Sequence, residues 1–220
     1  MPPLAWGTSE DQEAPALLLL DRRAAAGAET TRALVALLDH GEQERVQRLR
    51  RPEDQDRFRL GRAALRQVLG AWLDRDPAAL RFRYGPHGKP ALDGVVDAAP
   101  HFNVAHSGNL ILLAFHASSP VGVDVEQQRP DLAWAPLARR VLTPAECRLL
   151  ERLPPERRPE AFLAAWCRLE ARLKARGEGL AGLERLQAEA LAGQDPAGER
   201  TWEVALPAGY GAAVAVAAFA

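Results

Sequence analysis

The chain has 220 residues, 47% of them apolar, which is enough to bury a full core in one domain or in two lobes of about 100 residues each. Its formal net charge of -1 and its pI near 6.5 give no global attraction to nucleic acid or to a membrane surface. No apolar run reaches the roughly 20 residues that span a bilayer, and the start Met1 to Leu4 does not resemble a targeting segment. The two cysteines, Cys147 and Cys167, form no disulfide framework or zinc spacing, so we expect a cytoplasmic protein.

Apolar periodicity divides the first half of the chain into short strands and longer helices. We predict a strand over 16–20 and helices over 29–40 and 42–50. A long helix begins at Pro52 and ends before the Asp76-Pro77 pair. A strand over 81–84 follows, and the turn over 85–88 then presents Lys89 near the tip of a loop.

The second half of the chain begins with three successive strands, which short links arrange as a meander. These predicted strands cover 101–104, 110–116 and 121–125. Thr143 and Glu146 form the capping pattern of a helix that continues through Leu150. A second helix covers 158–176 and stops at Gly177, and the chain closes with strands over 201–206 and 212–219.

Both halves run from helices to strands, so we predict an α+β fold of two similar, pseudo-symmetric lobes. The lobes cover residues 1–116 and 117–220, although the sequence shows no residue-level repeat. The connection over 117–120 is too short for a free linker, so the lobes are expected to be fused with a ligand cleft between them. Since the two lobes complete this cleft within one chain, we expect a monomer.

Three acidic residues are the leading candidates for a functional site. In the strand 121–126 apolar residues alternate with Gly122, Asp124 and Glu126, so the two carboxylates share one face. A third carboxylate, Glu170, lies on the helix 158–176. Magnesium prefers oxygen ligands and keeps several waters, so this set predicts a Mg²⁺ site and phosphate chemistry. The alternatives are a solvated edge strand and, for Glu170 with Lys174, a helix-surface pair worth about 0.2–0.5 kcal/mol.

Several cations and donors accompany these acids. Of the 28 basic residues only Lys89 and Lys174 are lysine, and a compact ammonium suits a phosphate oxygen. Between two predicted strands His106, Ser107 and Gly108 can offer donors and close approach to a phosphate, or can form an ordinary polar turn. Within the basic stretch 45–62 we choose two residues to hold the terminal phosphates of a nucleotide, namely Arg57 and Arg62. A glycine-rich nucleotide loop is absent from the sequence.

Taken in order, four segments closely resemble the 4'-phosphopantetheinyl transferases of the two-lobed, surfactin-synthetase-activating type. The segments are 88–90 (Gly-Lys-Pro), 102–107 (Phe-Asn-Val-Ala-His-Ser), 122–126 (Gly-Val-Asp-Val-Glu) and 166–179, which starts at Trp166. The likeness extends from about Glu42 to the final strand. It implies two α+β lobes that bind coenzyme A in the cleft between them. It also implies transfer of the 4'-phosphopantetheine group to a serine of an apo acyl or peptidyl carrier protein, with release of 3',5'-ADP.

The resemblance implies a role for each matching residue. Asp124, Glu126 and Glu170 would hold magnesium, and either Glu170 or a metal-bound water would be the catalytic base. The pyrophosphate would be met by Lys174 and by His106. The nucleotide end would be bound by Lys89 and Arg57, with Ser107 adjoining it.

One position departs from the family pattern. Leu169 stands where the family motif usually carries a lysine, and leucine cannot donate to phosphate. Either Arg168 or Arg172 supplies the missing charge from nearby, or catalysis is weaker. Two alternatives therefore stay open, a coenzyme A-binding module without transfer activity and a metal-dependent pyrophosphate hydrolase that uses water as acceptor.

Overall fold

A computed structural model describes residues 14–25, 27–86, 88–94, 99–194 and 198–217. The strands are β1 (Ala16–Asp21), β2 (Phe82–Tyr84), β3 (Pro90–Leu92), β4 (His101–Ser107), β5 (Leu110–His116), β6 (Val121–Gln127), β7 (Arg200–Glu203) and β8 (Tyr210–Val216). The helices are α1 (Ala28–Val35), α2 (His40–Arg48), α3 (Pro52–Leu73), α4 (Trp134–Val141), α5 (Pro144–Arg152), α6 (Arg158–Arg176) and α7 (Leu183–Leu191). The chain start, His87 of the predicted turn and the end of the last predicted strand lie outside the described residues.

The first lobe, called the N-lobe, packs helix α3 against a three-stranded antiparallel sheet of order β1-β5-β4. Pro52 occupies the first turn of α3, where its missing N–H costs nothing. The apolar face of the helix, including Leu65 and Leu69, packs on Ile111 and Phe115 of the sheet. The hairpin β2–β3 adds Phe82 and Leu92 to the same core.

A buried ionic network joins α2 to α3 in the N-lobe. Asp39 and Glu42 form a capping box at the start of α2. The fully buried Arg66 of α3 donates from Nε to Glu42 Oε2 at 2.8 Å and from one terminal nitrogen to Asp39 Oδ2 at 2.9 Å. Its other terminal nitrogen donates to the carbonyls of Pro77 and Leu80, both at 2.9 Å, so each of its three nitrogens makes a hydrogen bond.

The second lobe, called the C-lobe, packs helix α6 on a sheet of order β6-β8-β7. Small side chains line this contact, with Ala171 and Ala175 of the helix against Ala213 and Ala215 of β8. Small residues let a helix lie close to a sheet because no long side chain separates the two backbones. Helices α4 and α5 cover the outer side of α6, where they form a separate apolar cluster.

The two lobes repeat one topology, which confirms the predicted α+β fold with pseudo-symmetric lobes. In each lobe the first strand pairs with the last strand, which in turn pairs with the strand before it. Thus β1, α3, β4 and β5 correspond to β6, α6, β7 and β8. The exact boundary at residues 116 and 117 stays a prediction.

Strand β5 is buried on both faces and is the shared wall between the lobes. Its Ile111 and Phe115 face α3, whereas Leu110 and Leu112 pack against the valines of β6. The predicted meander of three strands is therefore wrong. Strands β4 and β5 pair as a hairpin, but β6 leaves their sheet and pairs with β8, some 90 residues later in the chain.

Other differences concern helix bounds. The helix predicted over 29–40 ends at Val35, because a turn separates it from the capping residue Asp39 of α2. Helices α4 and α7 were not predicted, whereas α6 covers the predicted range 158–176. None of the described helices combines the length and apolarity that crossing a membrane requires.

Replacing Arg66 with methionine is expected to lower the free energy of unfolding by about 3–5 kcal/mol, because it removes a buried cation from Glu42 and Asp39 and a donor from two backbone carbonyls, although Arg62 still pairs with Glu42. Urea unfolding measures this loss. The matched control, Arg32→Met on the exposed face of α1, should change stability by no more than about 0.5 kcal/mol. A loss of similar size in both variants would contradict the importance of the network.

Candidate active site

Gly122 on strand β6 allows helix α6 to cross the strand at close range. A Cβ at this position would overlap the carbonyl oxygen of Ala171 and the amide nitrogen of Ala175 on the helix backbone. Glycine is thus required by space rather than by a special backbone angle. The crossing places Glu170 and Lys174, one helical turn apart, beside the acidic face of β6.

Asp124 is the buried centre of this arrangement, with 4% of its surface exposed. Its Oδ1 accepts a hydrogen bond from Lys174 Nζ at 2.6 Å. Its Oδ2 is buried and has no hydrogen-bond partner among the described residues. The alternative of a solvated edge strand is therefore excluded for Asp124, and the helix-surface pairing of Lys174 with Glu170 gives way to an ion pair across two elements.

Glu126 lies two residues along the same face and contacts the N-lobe. Ser107 donates from its hydroxyl to Glu126 Oε2 at 2.8 Å and accepts from the backbone N–H of Gln127 at 3.1 Å. Burial raises the pKa of Glu126, and the nearby charge of Asp124 adds to the increase. The serine thus fixes one oxygen of a carboxylate that is costly to ionise.

The charges of both neighbouring carboxylates affect the pKa of Glu170. Burial is the main cause that raises its pKa, the charges of Asp124 and Glu126 raise it further, and Lys174 opposes them. The three predicted metal ligands are therefore brought together on facing surfaces of β6 and α6. With the side chains as they stand, no group of three or more acidic, histidine or cysteine residues in the described ranges has an arrangement that could hold a metal ion.

The N-lobe contributes His106 and Arg57 to the rim of this cluster. Desolvation lowers the pKa of His106, and the positive charges of Arg57 and Lys174 lower it further, so the imidazole is uncharged at neutral pH. Arg57 donates to the carbonyl of Gly108 and to the carboxylate of Asp54. Its guanidinium is thereby held at the β4–β5 turn, next to the histidine.

Lys89 and Arg62 lie elsewhere. Lys89 Nζ donates to the carbonyl of Val121 at 2.9 Å and to the carbonyl of Lys174 at 2.7 Å, both in the C-lobe. Arg62 is buried in the N-lobe, where its Nε lies 3.1 Å from Glu42 Oε1. A terminal nitrogen of Arg62 donates to Tyr84 Oη at 3.1 Å. The structure thus directs Lys89 at backbone oxygens and does not bring Arg62 to the acidic cluster.

Leu169 is part of the apolar cluster between α6 and the helices α4 and α5. This position is therefore a packing position in this chain. The two arginines considered as substitutes are already paired, Arg168 with Glu203 and Arg172 with Glu199. Neither guanidinium is available to replace a lysine at position 169 without breaking its ion pair.

Sequence reasoning missed several residues around the site. Asn103 Oδ1 accepts from the backbone N–H of Val123 at 2.9 Å, across the lobe boundary. Tyr210 Oη accepts from the N–H of Asn109 at 3.0 Å and packs against Gly108. A buried asparagine inside an apolar strand was a usable signal, because a buried polar group needs a partner. The role of Tyr210 had no local signal, since its contacts are 101 residues away in sequence.

The fold and site together define a class of protein. Two fused α+β lobes meet at a junction where one buried and two half-buried carboxylates lie near a lysine and a histidine. Comparisons with known proteins make the assignment specific. Residues 26–118 match the family model described as 4'-phosphopantetheinyl transferase, N-terminal, and residues 120–208 match that of the 4'-phosphopantetheinyl transferase superfamily.

Individual relatives agree. The 4'-phosphopantetheinyl transferase HetI of Nostoc sp. is 39% identical over 165 residues, which cover 74% of this chain and 69% of HetI. The slr0495 protein of Synechocystis sp. is 42% identical over 147 residues, covering 67% and 60% of the two chains. The 4'-phosphopantetheinyl transferase Sfp of Bacillus subtilis is 28% identical over 152 residues, covering 69% and 66%. The chain therefore belongs to the 4'-phosphopantetheinyl transferase superfamily, and its matched region spans between 60% and 69% of the length of these relatives.

Replacing Gly122 with alanine should force α6 away from β6, because the new methyl group would meet helix backbone that cannot rotate aside. We expect a loss of about 1–3 kcal/mol in the free energy of unfolding, measured in urea. As a control, Gly41→Ala in α2 brings its Cβ no closer than 3.6 Å to another atom and should be neutral or slightly stabilising. Equal stability of the Gly122 variant and wild type would refute the close crossing.

Replacing Glu170 with glutamine should stabilise the metal-free protein, and the gain should depend on pH. Because the folded state raises the pKa of Glu170 above that of the unfolded chain, wild type loses stability as pH rises past the ordinary value of 4.5. The glutamine variant lacks this loss. The difference in urea midpoint between the two proteins should thus be small below pH 4.5 and should grow toward neutral pH. A constant or shrinking difference would contradict the assignment.

Proposed function

We propose that this chain transfers the 4'-phosphopantetheine group of coenzyme A to a serine hydroxyl of an apo acyl or peptidyl carrier protein. The observation that carries the proposal is the Asp124–Lys174 ion pair, with Glu126 and Glu170 on the same surfaces, in a chain of this superfamily. Such a site combines acids that can accept a proton or a cation with donors that can meet a pyrophosphate. The products would be the holo carrier protein and 3',5'-ADP.

The proposed reaction assigns a proton acceptor and several donors. The serine oxygen of the carrier attacks the β-phosphorus of coenzyme A, a new P–O bond forms, and the bond to 3',5'-ADP breaks. Glu170 accepts the serine proton, a role that suits a carboxylate whose pKa burial has raised above its ordinary value. Lys174 and the uncharged His106 donate hydrogen bonds to the pyrophosphate, and Arg57 lies close to His106 with its own charge.

Magnesium suits the chemistry of the acidic residues of the site, although their side chains must turn from their present positions to bind it as a group of three. Asp124, Glu126 and Glu170 offer only oxygen donors, which this hard cation prefers. Asp124 Oδ2 is buried without a partner among the residues described. Burial and neighbouring carboxylate charges raise the pKa of Glu126 and of Glu170, so a divalent cation would stabilise their ionised forms. These three residues would hold Mg²⁺, which when bound supplies neutralisation of the charge on the pyrophosphate.

The remaining expectations belong to the same proposal. Ser107 would position Glu126 beside the substrate, and the nucleotide end of coenzyme A would lie toward Arg57 and the N-lobe. We also propose that the protein acts as a monomer in the cytoplasm, since the site is built from two lobes of one chain. Leu169 packs against the apolar cluster of α4, α5 and α6, and the proposal therefore assigns it no contact with the substrate.

The test is intact-mass analysis of several apo carrier proteins incubated with this protein, coenzyme A and magnesium. We expect a phosphopantetheine-sized gain on at least one carrier, which a metal chelator abolishes. Glu170→Gln should lower the rate by on the order of 10²–10⁴-fold, the range for loss of a general base. Glu160→Gln, an exposed substitution in the first turn of the same helix, should leave the rate unchanged.

Two results would contradict the proposal. Coenzyme A binding without any mass gain on a broad set of carriers would identify a binding module. Release of 3',5'-ADP while every carrier stays unmodified would identify a pyrophosphate hydrolase. Equal rates for the Glu170 and Glu160 variants would remove Glu170 from the base role while leaving the transfer itself in place.

A further inference from the structure

Lys89 is the N-lobe side chain whose contacts reach both elements that carry the acidic cluster. Its ammonium bridges the carbonyl of Val121, at the start of β6, and the carbonyl of Lys174, in the last turn of α6. These two partners are 32 and 85 residues away in sequence. One cation thus connects the start of β6 to the end of α6, which are far apart in the sequence.

Both acceptors are backbone oxygens that suit a cationic donor. Lys174 lies in the last turn of α6, where its carbonyl also accepts a 3.3 Å hydrogen bond from the N–H of the C-cap residue Gly177. The negative end of the helix dipole attracts a cation there. Val121 lies on β6, which is an edge strand of its sheet and pairs on one side only, with β8. The ammonium therefore bonds an oxygen of the edge strand and adds a shorter, charged donor to an oxygen at the helix end.

The base of Lys89 is held firmly in the N-lobe. The backbone N–H of Gly85 donates to the Lys89 carbonyl at 3.0 Å and closes the β2–β3 hairpin. Phe82 and Leu92, paired across that hairpin, pack into the N-lobe core. Because the hairpin is anchored, Lys89 transmits the position of the N-lobe to the C-lobe. Lys89 is half-buried, and this burial together with the charge of Lys174 lowers its pKa to about 8.

We propose that Lys89 is a positioning residue that ties β6 to α6 across the lobe boundary and so fixes the register between Asp124 and Lys174. The catalytic part of this inference rests on the proposed transfer function. The role differs from the nucleotide contact that the family resemblance implies for Lys89. A positioning residue affects the rate at saturating substrate, whereas a nucleotide-binding residue affects mainly the KM for coenzyme A.

The test compares Lys89→Met with Arg83→Met, an exposed residue on the same hairpin. Two readouts are used, steady-state transfer of phosphopantetheine and hydrogen exchange of backbone amides in β6 and in the last turn of α6. We expect Lys89→Met to lower kcat by as much as about 100-fold, the cost of a shift near 1 Å, with KM for coenzyme A within about twofold of wild type. Exchange in both segments should accelerate, and Arg83→Met should change neither quantity.

Lys89→Arg keeps a permanent cation with several donors and covers the case in which the methionine variant does not fold. This variant should restore slow exchange and most of kcat. A raised KM with kcat and exchange unchanged would overturn the proposal in favour of nucleotide binding, and so would exchange that is identical in wild type and both Lys89 variants. If wild type transfers nothing to any carrier, the proposed function fails, but the exchange comparison still decides whether Lys89 ties the two elements.

Discussion

The close crossing of α6 over β6 at Gly122 is the constraint on which the site depends. With no side chain at position 122, the helix backbone lies against the strand, and Lys174 can reach Asp124 Oδ1 at 2.6 Å. The alanines between α6 and β8 extend this close contact along the helix. A larger residue at these points would push the two surfaces apart. The contact between Lys174 and Asp124 therefore depends on the absence of a side chain at Gly122.

That closeness has an electrostatic cost. Three carboxylates share a partly buried space, and burial raises the pKa of Glu126 and of Glu170. Lys174 offsets part of this cost, and a divalent cation would offset more. Other parts of the fold offset this cost. The Arg66 network stabilises the N-lobe, and apolar packing between β5 and β6 joins the lobes.

The lobes meet at an edge strand whose outward backbone groups bond to side chains. Asn103 accepts from the N–H of Val123, Ser107 accepts from the N–H of Gln127, and Lys89 donates to the carbonyl of Val121. Side chains thus take the place of a neighbouring strand and keep β6 from further pairing. The same residues reach the cluster, because Ser107 also binds Glu126 and Lys89 also binds the end of α6. The same side chains therefore join the lobes and position the residues of the site.

The sequence alone determined the features that depend on neighbouring residues in the chain. Capping residues and apolar spacing gave the bounds of α6, and alternation put Asp124 and Glu126 on one face of β6. Order of motifs was enough to anticipate the two-lobed α+β fold. Only the tertiary structure decided that β6 pairs with β8 instead of β5, that Leu169 packs among helices, and that Lys89 bonds backbone oxygens. Each of these depends on partners far apart in the chain, and neither periodicity nor charge at one position records which distant surface it will meet.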